Sequence, residues 1–66
     1  MRRPVLIAEN IKDLSTETIV DYILTLELVV DRFMLISTKG TTSLYCDENY
    51  QVSPRRIEML KKVLAI

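Results

Sequence analysis

The chain has no histidine and no tryptophan, and only one cysteine, one glycine and two prolines. Each scarcity closes off a class of function. Without histidine the commonest general acid–base group and metal ligand is missing. A zinc site would have to come from Cys46 and carboxylates alone, which is not a usual donor set. One cysteine permits no intrachain disulfide, so a secreted disulfide scaffold is excluded. Cys46 is expected as a small buried hydrophobe, because no base stands near it in the sequence to activate a nucleophile. A single glycine, Gly40, is too little for a phosphate-cradling loop. The carboxylates of Glu17, Asp21, Glu27 and Asp31 lie along one expected helix rather than converging on a pocket. Neither catalytic residues nor a metal or cofactor are expected, and the chain reads as a non-enzyme.

Charge of one sign is also lacking. Nine Lys and Arg balance nine Asp and Glu, so bulk charge points to neither nucleic acid nor an anionic membrane. The distribution is uneven: the acids above gather on the central segment, while Arg55, Arg56, Lys61 and Lys62 make the C-terminal segment basic. No long hydrophobic run is present. Pro4–Ala8 is too short for the apolar core of a signal peptide and ends at Glu9, so the cytoplasm is the expected location.

What is abundant is aliphatic side chain. Hydrophobic residues make up 48% of only 66 positions, which is one domain, residues 1–66. A chain this short buries roughly 60% of the surface its unfolded form exposes, and its core rarely supplies more than ~3–5 kcal/mol. One helix and one hairpin can hardly hide so many aliphatics, which points to self-association or to a protein partner.

Taken in order, Pro4–Ala8 reads as a short strand, with proline at its first position, where no ladder bond is lost. The segment from Ser15 to Val30 reads as the central helix, ending near Asp31. Ser15 is the N-cap, Leu14 and Ile19 form a hydrophobic staple across it, and Ile19, Tyr22, Ile23, Leu26, Val29 and Val30 share a face at helical spacing. A rival signal is the strand-like alternation of Leu24–Thr25–Leu26–Glu27–Leu28. Lys39–Gly40 then separates two β-prone runs. Turning there pairs Thr38 with Thr41, Leu35 with Leu44 and Phe33 with Cys46, placing Phe33, Leu35, Leu44 and Cys46 on one face and Met34, Ile36, Ser43 and Tyr45 on the other. Lys39 suits a type I′ turn less well than Asn or Asp. Ser53–Pro54 starts a last helix with inner stripe Ile57, Leu60 and Leu64. The sum is an α+β domain, β-α-β-β-α, with both helices on one face of a small sheet. The alternative is an all-α helical hairpin, in which the central helix runs on through Ile36 to stop at Gly40.

Two surfaces stand out as candidates. Val20, Leu24 and Leu28 recur every fourth residue as a second apolar stripe, bordered by Glu17, Asp21, Glu27 and Asp31, as an interface core is bordered by a polar rim. Arg55, Arg56, Lys61 and Lys62 are of a kind that touches phosphates, although Glu58 sits among them. The expectation is a non-enzymatic protein–protein interaction module, a small regulator, inhibitor or accessory subunit working as a homo-oligomer or on another protein. The alternative is a small nucleic-acid-binding regulator using the basic helix.

Overall fold

A computed structural model describes residues 3–11 and 14–64. The chain is an α+β domain whose elements follow the order β1 (Pro4–Ala8), α1 (Thr16–Thr25), β2 (Phe33–Thr38), β3 (Thr41–Asp47) and α2 (Pro54–Leu64), with a 3-10 turn at Val30–Arg32 before β2. The three strands form one antiparallel sheet in the order β1-β3-β2. The all-helical alternative is therefore excluded.

The hairpin sets the sheet. Thr38 pairs with Thr41, Leu35 with Leu44 and Phe33 with Cys46, the register read from the sequence. Lys39 and Gly40 both hold positive φ, 53° and 80°, the conformation a two-residue I′ turn demands and one whose twist matches that of the strands. On the face so defined, Leu44 and Cys46 are buried with Phe33 and Leu35 packed against them. β1 adds to the other side of β3, with Val5 opposite Cys46 and Leu6 opposite Tyr45. A bulge then sets both Ile7 and Ala8 against Leu44 and turns Ile7 into the core.

Both helices cover this one face. α1 begins as read: the Ser15 hydroxyl accepts from the Thr18 N–H at 3.2 Å, and Ile19 and Ile23 are buried. α2 buries Leu60 and Leu64, with Ile57 and Val52 packed beside them. Tyr50, in the loop before α2, accepts the Val29 N–H on its hydroxyl at 2.9 Å. Its ring meets Phe33 edge-on at 5.9 Å.

The extent of α1 departs from the sequence reading. The helix stops at Thr25, not near Asp31. Leu28 N–H donates to Ile23 O and Glu27 N–H to Leu24 O, both at 3.0 Å, while Glu27 takes a left-handed φ of 59°. This is a Schellman ending with glutamate where glycine is usual. Its physical reason is Leu28. Continued as helix, Leu28 would lie outside with Val20 and Leu24; after the reversal it is 5% exposed and packed in the core. The strand signalled by the alternation of Leu24–Leu28 does not form: Leu24 and Thr25 are helical and Leu26 and Glu27 are in the turn.

A glutamate at positive φ is strained, and glycine there is not. Glu27→Gly should therefore stabilise the fold by about 0.5–1 kcal/mol, read as a higher urea midpoint at unchanged slope. A fall in stability would mean that the exposed Glu27–Arg56 pair outweighs the backbone strain.

Candidate functional site

The residues expected to form an acidic-rimmed stripe do not stay together. Leu28 is withdrawn into the core and is removed from the candidate set. Leu24 remains in water at 56% exposure, and Val20 is half-buried. Val20 and Thr16 form one wall of an apolar groove of about 270 Å³, whose other wall is β2 from Phe33 to Leu35. Glu17 and Asp21 are exposed on α1, further round toward solvent.

The basic residues are all exposed on α2, but they do not form a free cationic surface. Arg56 Nη2 pairs with Glu27 Oε2 at 3.2 Å, and Lys61 Nζ lies 3.7 Å from Glu58 Oε1. Arg55 and Arg56 line an open cleft of about 590 Å³ between the end of α1 and the start of α2, and the Glu27 carboxylate lines it too. A phosphate entering there would meet that negative charge. Lys62 lies on α2 beside Lys61.

A second apolar surface is the other side of the sheet. Because α1 and α2 both pack on the Leu44–Cys46 face, nothing in the described chain covers the opposite one. There Leu6, Tyr45 and Met34 stand opposite one another in register across the three strands. Leu6 is 44% and Met34 49% exposed, and Ile36, also exposed, follows Met34 along β2. Polar groups border this row: Ser43 opposite Ile36, and at the other end Arg32 Nη1 paired with Asp47 Oδ2 at 3.1 Å. The sequence signal for it was the assignment of Met34, Ile36, Ser43 and Tyr45 to a shared outer face.

One further feature is the edge of β2. Ile11 N–H donates to Thr42 O and Glu48 N–H to Arg3 O, so the even-numbered residues of β3 bond toward the β1 side. Antiparallel ladders alternate, so Thr41, Ser43 and Tyr45 bond to their partners Thr38, Ile36 and Met34 in β2. The backbone groups of Phe33, Leu35 and Ser37 then point away from the sheet. The other edge, β1, is blunted by Pro4 and by its bulge; β2 carries neither proline, charge nor bulge, the usual protections of an edge.

Cys46 is buried, with its thiol 3.5 Å from the Asp47 carbonyl oxygen. Burial, and secondarily the Asp47 carboxylate, push its pKa above the ordinary 9.0. Among the described residues no group of three or more acidic, cysteine or histidine side chains is placed to hold a metal ion, and no helix is long and apolar enough to cross a membrane. Set against models of protein families, curated proteins and solved structures, the chain finds no match.

A thiol that is harder to ionise in the folded chain leaves stability untouched below the unfolded thiol's pKa. As pH climbs past that value the unfolded state gains the thiolate first and stability falls. Iodoacetamide at pH 8 should thus label Cys46 at least tenfold more slowly in the native protein than in urea, and the urea midpoint should drop between pH 8 and pH 10. Equally fast labelling in both states would place the thiol at the surface.

Proposed function

We propose that this chain is a non-enzymatic protein–protein interaction module, whose contact surface is the uncovered face of its sheet. The observation that supports this reading is the Leu6–Tyr45–Met34 row, three large side chains in register, the outer two open to water and Tyr45 half-buried between them, with polar groups bordering the row. Two half-exposed aliphatics of this size retain a sizeable part of the ~1.5–3 kcal/mol that full burial of each would return. The aromatic centre with an aliphatic on either side is the composition of an interface core. A small domain with one face filled by its own helices and the other left apolar fits a regulator, inhibitor or accessory subunit acting by docking. Its place of action would be the cytoplasm. The basic helix is the weaker alternative, since two of its four cations already face carboxylates and a third shares a cleft with Glu27.

The test compares capture from host lysate by the wild type, by Leu6→Lys and by Arg55→Glu with Arg56→Glu. Leu6 faces water, so Leu6→Lys should keep the native circular dichroism and alter stability by no more than about 1 kcal/mol. The expected result is a protein retained by the wild type and by the arginine variant and lost with Leu6→Lys. Retention of nucleic acid instead, falling steeply with salt and abolished by the arginine changes, would transfer the function to α2.

A further inference from the structure

We infer that the partner at the free edge of β2 is a second copy of the same chain, joined strand to strand into a continuous six-stranded sheet. This rests on the interaction reading above and names one of its partners and the surface used.

Phe33, Leu35 and Ser37 direct their N–H and C=O groups outward, and a twofold axis perpendicular to the sheet at Leu35 would set Phe33 against Ser37 of the second copy and Leu35 against Leu35. These are the positions whose free groups can exchange hydrogen bonds. Between them, Met34 falls opposite Ile36 on the outer face, twice, as close cross-strand pairs of the kind that stabilise sheets. Moving the register by two residues is worse either way. One shift shortens the ladder, and the other sets Met34 against Thr38 and Leu35 against Ser37. The strand is complementary to itself in one register.

Charge agrees with that register. Asp31, in the 3-10 turn before β2, and Lys39, in the hairpin turn, lie just beyond opposite ends of the ladder, so the axis brings the Asp31 end of each copy to the Lys39 end of the other, and both residues are exposed. The isologous arrangement makes this pair twice. A strand edge alone covers less than the ~800 Å² per partner of a standard interface, about a sixth of the chain's 4979 Å². The axis supplies the remainder. It places both copies of α1 on the same side of the joined sheet, so that the groove beside β2 is roofed by the other copy's Val20 and Leu24. Val20 lines this groove, and Leu24, one turn further along α1, is 56% exposed. The outer rows of the two copies also merge, doubling the apolar face.

The test is the solution mass by light scattering and sedimentation, from ~1 to ~200 µM, for four proteins whose folding is checked by circular dichroism. The wild type should reach twice the 7.7 kDa chain mass. Ser37→Pro removes an outward N–H without touching the β3 ladder, and should weaken association at least tenfold. Lys39→Glu should weaken it about tenfold, since two attractive pairs become repulsive, and adding Asp31→Lys to it should restore the wild-type value. A wild type that stays monomeric throughout overturns the inference. So does a dimer indifferent to Ser37→Pro and to the charge reversals, or a Lys39→Glu loss that Asp31→Lys fails to repair. The interaction reading fails separately, through Leu6→Lys: that residue lies on β1, away from the axis, and should leave the dimer intact.

Discussion

Which side chains are inside this domain is decided at the turn between β2 and β3. Because Lys39 and Gly40 both take positive φ, the hairpin closes on two residues and Leu35 is held opposite Leu44. Side chains alternate with period two, so a slip of one residue would carry the whole inner set to the outside. The inner set is what both helices pack on: Ile19 and Ile23 from α1, Leu60 and Leu64 from α2, closing over Leu44 and Cys46. The turn therefore settles the outer set as well. Met34 and Ile36 are exposed and Tyr45 half-buried on the outer face because Phe33, Leu35, Leu44 and Cys46 face inward.

This division gives the molecule its asymmetry. Among the described residues both helices are committed to one side, so the three-stranded sheet leaves its other side bare. The β2 edge is open as well, since none of the described elements lies alongside it. An apolar face and an unprotected edge are liabilities in a lone monomer. In the interaction module we propose, they would be the docking surfaces.

Much of the fold was legible in local sequence because local chemistry determines it. The hairpin register follows from matching apolar residues across Lys39–Gly40, the start of α1 from Ser15 and Leu14, and the start of α2 from Pro54. The end of α1 was not legible, because the usual sign of a Schellman ending is glycine and Glu27 occupies that position. Misplacing that end kept Leu28 in a surface stripe, when its burial is what terminates the helix. The open face was half legible. Met34, Ile36, Ser43 and Tyr45 separate cleanly by alternation, but that the face is bare depends on both helices choosing the opposite one. That β2 is an edge follows from β1 pairing with β3, a contact between segments some forty residues apart that no short-range pattern encodes.

The central claim is that the β2 edge and the face behind it are contact surface rather than merely uncovered surface. The most direct measurement is amide hydrogen exchange resolved residue by residue along β2, at low and high protein concentration. Met34 and Ile36 bond to β3 and should be protected in both. Leu35 and Ser37 point outward, and should exchange rapidly when dilute and become protected, by tenfold or more, when concentrated. Rapid exchange of Leu35 and Ser37 at every concentration would contradict the account.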